Sequence, residues 1–436
     1  MSNSVLGNKN YILVVLGRFV SDFGTYLQSF AMSLFVLKKT GSATLFAMVI
    51  VLSMIPRLIL MPFAGVLADR ISRKKMIVSM DILSGIFMLI AGGFYVARGD
   101  LSLPFIYVIV IILNTINVFF SPAMGSIMPD IVEKEKLADA NSISEITVAI
   151  NALIAPIVAG VLFGSFGILP IIIVNAVSFL ISALSESFIK LEKESIVSKE
   201  KSDKFFVSFM QGVRYIKTMP EFLIIIGVAV IANFALAPIF SVALPIVILN
   251  DFGLSDSAYG IITALMTIGM LVGPLFAAGV IKKHHYSKLV SRILFSAGIL
   301  NFIIAAMCIK GIFSSVYINT VLIVLLINIL MVIIIWVNLS LTTARQRIVP
   351  GHLQGRVVSV MGMFAMAAMP LGQALMGYLL DRSEAYIIIA IYALLAALSG
   401  ILARIGFSKL ARSGKMNINQ AAETTNDIPK EAAETV

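Results

Sequence analysis

The sequence predicts an all-α membrane protein in which twelve transmembrane helices form two related six-helix halves. Hydrophobic residues make up 59% of the 436 residues and charged residues only 13%, whereas a soluble domain carries about 25% charged residues. A chain of this composition cannot cover a soluble surface with polar groups. Its apolar residues also fall into repeated runs of about 20, the length that an α-helix needs to cross a bilayer.

The twelve runs are separated into two sets of six by one polar stretch. The predicted spans are 11–36, 42–68, 75–97, 103–127, 140–163 and 167–189, then 221–249, 257–281, 288–308, 314–342, 355–380 and 385–405. This pattern predicts an N-terminal half (1–189), a cytoplasmic linker (190–220) and a C-terminal half (221–411). Residues 412–436, rich in Asn, Ala, Glu and Thr, predict a disordered cytoplasmic tail.

The distribution of basic residues predicts that both termini are cytoplasmic in a bacterial cell membrane. Cytoplasmic loops of membrane proteins carry an excess of Lys and Arg. With a cytoplasmic amino terminus, most of the 33 Lys and Arg residues fall on the cytoplasmic side. The exceptions are five residues on the other side and two within spans: Lys38, Lys39, Arg98, Lys310 and Arg382, then Arg18 and Arg57.

The two halves show weak internal repetition. Ala64-Gly65-Val66 ends the second predicted span and Ala278-Gly279-Val280 ends the eighth, each just before basic residues. Pro156 in the fifth span and Pro370 in the eleventh are separated by the same number of residues as these two segments. Two parallel six-helix halves predict a binding site at their interface near the midplane, with rocking of the halves for alternating access.

Several classes of function are disfavoured by the residues present. The lone Cys308 excludes a disulfide within the chain, and all three histidines fall in predicted loops, so neither a metal site nor a cofactor is expected. Basic residues are not interleaved with aromatic ones, so nucleic acid is not an expected partner. An enzyme is not expected because no catalytic constellation or nucleotide-binding loop is present, and a membrane sensor would need a larger output domain than the linker.

Charged residues inside the spans are the first candidates for function. A charge at the centre of a transmembrane helix costs roughly 2.5–3.5 kcal/mol on insertion scales, so its presence predicts a functional site. Arg18 and Asp22 are four residues apart and share one helix face. The candidates for proton coupling are Asp22, Arg18, Arg57, Asp81 and Glu145. An alternative stays open for each part of this set. For Asp22 and its arginine partner, the alternative to a coupling pair is a permanent structural ion pair. For Asp81 and Glu145, the alternative is a role that only supports the cytoplasmic loop.

Scattered polar or amphipathic residues within the spans are candidates for the substrate pathway, although about half of them are expected to form interhelical hydrogen bonds instead. These residues are Gln28, Asn117, Asn233, Trp336, Asn338 and Gln373.

Several segments resemble the major facilitator superfamily. The segment GVLADRISRKK (65–75) is similar to the loop signature after the second helix, with Ser72 in place of a glycine. The segment around Ala155, Pro156 and Gly160 resembles an exporter signature in which Ala155 and Ala159 replace glycines. The opening GRFVSDFGTYLQSFAMSLFVLKKTGSA, SPAMGSIMPDIVEKEKLADANSI and GRVVSVMGMFAMAAMPLGQALMGYLLDR resemble the bacterial macrolide-efflux and enterobactin-export branch over roughly residues 10–405.

The resemblance implies roles for several of these residues. It implies a cytoplasmic latch that holds the outward-facing state, formed by Gly65, Asp69, Arg70, Arg73, Lys74 and Arg356. The alternative to a latch is an ordinary cytoplasmic loop that carries basic residues. It also implies that the first helix lines the central cavity, with Asp22 as the titrating group and Arg18 or Arg57 as its partner. One departure from proton-coupled drug exporters is the fourth span, which has Asn114 where an arginine is expected.

The resemblance implies a monomeric transporter that exports lipophilic or amphipathic small molecules, such as macrolides or siderophores, in exchange for protons. The alternative on the same fold is movement of lipids or lysolipids between leaflets. Import of a polar nutrient is disfavoured because few polar groups are available to converge on a small site.

Overall fold

The computed structural model describes residues 5–68, 71–190, 205–283, 285–313 and 315–413. Six long helices form the N-terminal half. They are α1 (Lys9–Thr40), α2 (Ala43–Ala68), α3 (Arg73–Arg98), α4 (Leu103–Ile131), α5 (Leu137–Phe166) and α6 (Leu169–Ser187).

A shorter helix within the predicted linker precedes the helices of the second half. The helices are α7 (Phe205–Thr218), α8 (Pro220–Pro238), α9 (Leu244–Ile246), α10 (Asp256–Met266), α11 (Ile268–Lys283), α12 (Tyr286–Met307), α13 (Val316–Ile348), α14 (Gly351–Leu380) and α15 (Ala385–Arg412). Two π-helical segments, Ile239–Ala243 between α8 and α9 and Val247–Asp251 after α9, complete one membrane-length stretch.

The all-α membrane fold is confirmed, and the described residues contain no strand. In the part of the chain that the structure describes, eleven helical stretches are long and apolar enough to cross a membrane. The helix α1 is also long enough, at 32 residues, but it is not among the eleven and its middle contains Arg18, Asp22 and Gln28. The count of twelve spans therefore stays a prediction.

The structure adds three local details to the predicted spans. Residues 205–218 of the predicted linker form α7. The predicted span 257–281 is divided at Thr267 into α10 and α11. Helix α15 continues to Arg412, and the predicted tail beyond residue 413 lies outside the described residues. The boundaries of the two halves remain a prediction.

The two halves repeat the same pattern of helix packing. In the first half α1 packs against α5 and α6, and α3 packs against α4 and α6. In the second half α8 packs against α14 and α15, and α12 packs against α13 and α15. Among the described residues, the most extensive contacts between the halves are those of α2 with α14 and of α5 with α10.

The buried core is shared by the halves at one end of the molecule and divided at the other. We call the end with the amino terminus and α7 the linker end, and the opposite one the distal end. Towards the distal end, one apolar cluster joins residues of both halves, for example Leu34 and Phe163 with Val247 and Tyr392. Towards the linker end, one cluster belongs to the N-terminal half and another to the C-terminal half. The halves are therefore packed together at the distal end.

Candidate functional site

A seam of small and polar residues joins α1 to α6. On α6 the residues Asn175, Ser178, Ser182 and Glu186 follow at helical spacing, and on α1 they face Gly17, Gly24 and Gln28. The two helices approach so closely that a Cβ atom on Gly24 would lie 2.1 Å from Ser178 Oγ. Asn175 Nδ2 donates to Gln28 Oε1 at 2.6 Å. The predicted pathway residue Gln28 thus fixes α1 against α6, and it also lines the cavity described next.

The first half contains a cavity of about 200 Å³ between α1, α2, α3 and α4. Five residues singled out in the sequence line it, namely Asp22, Gln28, Asp81, Asn114 and Asn117. Serines and a threonine from the same helices add further polar groups. This N-half cavity is therefore the place where the structure gathers several candidates for proton coupling and substrate binding.

The predicted pair on α1 is formed. Arg18 Nε lies 3.2 Å from Asp22 Oδ2, and both side chains are partly exposed. Arg57 is exposed and has no ion-pair partner among the described residues. Glu145 is exposed on α5 and lies within electrostatic range of Tyr26. Arg18, and not Arg57, is the partner of Asp22 in this conformation.

A second acidic residue beside Asp81 was not recognised in the sequence. Glu186, near the end of α6, is fully buried, and Asp81 is 3% exposed. Ser182 lies between them, with its Oγ 3.3 Å from Glu186 Oε1 and its side chain also in contact with the Asp81 carboxyl. The residues Asn175, Ser178, Ser182 and Glu186 occupy one face of a helix whose other residues are mostly apolar, and this spacing was the available signal.

The second half contains a larger and more apolar cavity of about 370 Å³. Three predicted pathway residues, Asn233, Asn338 and Gln373, line it, and the rest of its wall is mostly aliphatic and aromatic. Gln373 Nε2 donates to Ser241 Oγ at 3.0 Å. Trp336 lines neither cavity, because its indole Nε1 donates to the carbonyl of Gly273 at 2.9 Å and ties α13 to α11.

At the distal end, Asp381 joins the halves through the amino terminus of α2. Its carboxylate accepts hydrogen bonds from the Ser42 hydroxyl (2.7 Å), the Ala43 N–H (2.6 Å) and both the N–H and hydroxyl of Thr44. Hydrogen bonds from Thr44 and Ser42 outweigh the opposing effect of burial, so the pKa of Asp381 lies below its usual value. Lys38 of α1 pairs with the buried carboxylate of Asp256 at the same end.

The exporter-type residues of α5 lie where α5 crosses α10. A Cβ atom on Gly160 would be 2.5 Å from the carbonyl oxygen of Asp256, and one on Gly260 would be 2.3 Å from that of Pro156. Ala155 is fully buried beside this crossing. Small residues are needed here because the backbones of the two halves are in direct contact.

The predicted latch residues are only partly described. Asp69 and Arg70 lie outside the described residues, and Gly65 lies within α2. Arg73 Nη1 contacts Asp130 Oδ2 at 2.5 Å and the Ser126 carbonyl at 2.9 Å, so it ties α3 to α4 within the first half. Lys74 is half-buried. The backbone at Arg356 packs closely against α7, because a Cβ atom added to Gly212 of α7 would lie 2.7 Å from the Arg356 carbonyl oxygen.

Comparison with known families decides the affiliation. The model of the Major Facilitator Superfamily matches residues 14–372, which covers most of both halves. The chain belongs to the major facilitator superfamily. It is therefore a multi-pass membrane transporter, as the loop signature at 65–75 predicted.

Efflux proteins are among the relatives of this superfamily member. Macrolide efflux protein A of Streptococcus pyogenes is 22% identical over 369 residues, which cover 84% of this chain and 88% of the relative. The multidrug efflux pump Tap of Mycolicibacterium fortuitum is 23% identical over 399 residues, covering 90% of this chain and 94% of the relative.

Solved structures of the superfamily share the fold. One of them is a bacterial homologue of the iron transporter ferroportin in its inward-facing state. Its structure matches this one with a TM-score of 0.69 and 18% sequence identity, and the match covers 93% of this chain and 99% of that one. In its outward-facing state the TM-score is 0.58 at 20% identity, with 92% and 99% covered. The transporter fold predicted from the sequence is thus confirmed.

Proposed function

We propose that this transporter exports lipophilic or amphipathic small molecules from the bacterial cytoplasm or the inner leaflet in exchange for protons. The observation that carries the proposal is the division of chemistry between the halves. The N-half cavity contains carboxylates and the Arg18–Asp22 pair, whereas the C-half cavity is apolar with three amides. A proton site and an apolar binding surface therefore lie in the two parts that rock against each other.

The C-half cavity suits an amphipathic substrate. Binding pockets for drug-sized molecules usually have volumes of about 300–1,000 Å³, apolar walls and a few placed polar groups. The cavity of about 370 Å³ falls in that range, and Asn233, Asn338 and Gln373 supply the polar groups. Met331 and Met369 add flexible side chains that can adapt to different ligands. The names of the efflux relatives point in the same direction.

The Arg18–Asp22 pair supplies a means of coupling. In the present conformation Asp22 is paired, and an opposite charge at this distance favours the ionised carboxylate. Protonation of Asp22 would release Arg18 and leave a neutral carboxyl facing the N-half cavity. Alternation between these two states couples proton movement to the rocking of the halves, with the proton-motive force supplying about 2.3 kcal/mol per charge per 100 mV.

We further infer that the structure is inward-facing and that the working unit is a monomer with both termini in the cytoplasm. The shared core and the Asp381 and Lys38 contacts close the distal end. At the linker end the core is divided between the halves. With the amino terminus in the cytoplasm, as the basic residues predict, the closed end is the external one.

Accumulation assays with a matched pair of variants test the proposal. Cells that express the protein should retain less of a fluorescent lipophilic cation and of a labelled macrolide than control cells, and an uncoupler should abolish the difference. Asp22→Asn should behave as the uncoupled protein does. Asp100→Asn, which alters an exposed carboxylate paired with Lys39 at the distal end, should export normally. Unchanged accumulation of both probes in wild-type cells would count against drug export and favour the lipid alternative.

A further inference from the structure

Among the residues that the structure describes, the buried carboxyl pair of Asp81 and Glu186 has no ion-pair partner. Asp81 is 3% exposed on α3, and Glu186 and Ser182 are fully buried on α6. Within the ranges that the structure describes, no lysine, arginine or histidine forms an ion pair with either carboxyl. Both carboxyls interact electrostatically with Asp22 on α1, which is itself paired with Arg18. Lys190, one turn beyond Glu186, is exposed.

This arrangement is built by the surrounding helices. Gly17 of α1 makes room for Glu186 and Ser182, because a Cβ atom there would lie 3.2 Å from both Glu186 Cγ and Ser182 Oγ. One oxygen of each acid, Asp81 Oδ2 and Glu186 Oε2, is buried without a hydrogen-bond partner in the described part of the chain. Two unpartnered carboxyl oxygens in one apolar site are costly, since buried polar groups are normally hydrogen-bonded.

Electrostatics limits the charge that this pair can carry. Two neighbouring carboxylates cannot both ionise without a strong penalty, and a buried charge without a partner costs several kcal/mol. A proton on one acid removes one charge and supplies one hydrogen-bond donor. The same proton can therefore reduce both the charge and the number of unsatisfied oxygens.

We propose that Asp81, Ser182 and Glu186 form a proton-binding site behind the N-half cavity, with Glu186 as its innermost acid. Asp81 lines that cavity, whereas Glu186 does not, so a proton from the cavity reaches Asp81 first. Transfer then needs only an exchange at the hydroxyl: Ser182 accepts the proton of Asp81 and donates its own to Glu186 Oε1. The hydroxyl is regenerated, and one proton has moved from one carboxyl to the other.

The presence of the proton stands on the geometry of the site, whereas its use in transport rests on the proposed function. When protonated, the pair fits the close packing of small and polar residues between α1 and α6. When the proton leaves, the site holds a second negative charge about which Asp22 and Arg18 must rearrange. Proton occupancy behind the cavity thus biases the position of α1, the helix that carries Asp22.

Infrared spectroscopy of the purified full-length protein tests the site without any substrate. At neutral pH the wild type should show the carbonyl band of protonated carboxylic acid, and Glu186→Gln or Asp81→Asn should reduce it. Ser182→Ala should shift the band without removing it, because this change deletes a hydrogen bond and no acid. Glu384→Gln, which alters an exposed glutamate, should leave the band unchanged. An identical band in wild type and in folded Glu186→Gln and Asp81→Asn would overturn the proposal.

Proteoliposomes test the role in coupling. Exchange of one proton for one cation moves no net charge, so the driving force is imposed as a pH gradient. A gradient equivalent to 100 mV is worth about 2.3 kcal/mol per proton, which sustains a substrate gradient of roughly forty-fold. Glu186→Gln should lose this gradient for the lipophilic cation and the macrolide, yet still exchange labelled for unlabelled probe across the membrane. Retention of the full gradient by folded Glu186→Gln would overturn the coupling role. If the wild type itself moves neither probe, the proposed function fails, and the infrared result still decides whether the proton is present.

Discussion

The Asp381 cap at the distal end gives the most quantitative prediction. Its carboxylate accepts hydrogen bonds from two backbone N–H groups and two hydroxyls at the start of α2. Removal of a helix-capping side chain costs about 0.5–2 kcal/mol, and the favourable charge at a helix amino terminus adds about 0.3–1 kcal/mol when exposed. Because Asp381 is partly solvated, we expect a total of about 1–2 kcal/mol, a factor of roughly 5–30 in the conformational equilibrium.

The change Asp381→Ala should therefore open the distal end. Asp381 lies in the second half and α2 in the first, so the hydrogen bonds between them stabilise the conformation in which the halves are joined at the distal end. Asp381→Ala removes this stabilisation. Spin labels at Arg98→Cys and Phe313→Cys, both at exposed distal positions, report this separation. The only native cysteine, Cys308, is buried and can be replaced. The population of long distances should rise several-fold in Asp381→Ala.

The control and the effect of pH make this prediction specific. Glu384→Ala removes a neighbouring acid that forms no capping hydrogen bond and should leave the distances unchanged. The pKa of Asp381 is lowered in the closed state, so its contribution is complete above the usual aspartate value of about 3.9. It is lost as the pH falls through the lowered pKa. Equal distance distributions for wild type and Asp381→Ala would refute the reasoning.

Two further changes test the other contacts. Gly160→Leu should reduce export by roughly 5–150-fold, as about 1–3 kcal/mol of overpacking would produce, because a Cβ atom there is 2.5 Å from the Asp256 carbonyl. Gly164→Ala, whose Cβ would lie 3.4 Å from Ser257 Oγ, should export normally, and equal export by the two variants would contradict this account. Gln373→Leu should raise the macrolide concentration needed for half-maximal export by a factor equivalent to about 0.5–1.5 kcal/mol, the value of one hydrogen bond. The corresponding concentration of the lipophilic cation should change little. Equal effects on both probes would exclude a polar role for Gln373.

Much of the fold could be predicted because the bilayer imposes it. Each apolar run must satisfy its backbone as a helix, so the positions of the helices follow from hydropathy. The break at Thr267 and the π-helical segments around α9 could not be predicted, because they depend on tertiary contacts. One of these contacts comes from Asn328 on α13, whose side-chain oxygen accepts a hydrogen bond from the N–H of Gly269, two residues after the break. The helix α7 lies in a stretch whose polar composition indicated only a linker.

The candidate site was predicted in part for a similar reason. Charges within a span are visible in the sequence, so Arg18, Asp22 and Asp81 were found. Glu186 was missed because it lies at the end of its predicted span, where an acid is expected to meet solvent. Its burial follows from Gly17, which lies in another helix and admits the side chain. Trp336 illustrates the alternative that the sequence left open for the pathway residues, since its indole N–H forms an interhelical hydrogen bond with the Gly273 carbonyl.

Proton-coupled export is most directly tested with the purified protein in proteoliposomes that contain a pH-sensitive dye. Addition of the lipophilic cation or the macrolide should move protons in the direction opposite to the substrate. The flux should disappear in Asp22→Asn and persist in Asp100→Asn. Substrate transport that proceeds at the same rate with and without a proton gradient, and without any proton flux, would contradict the account.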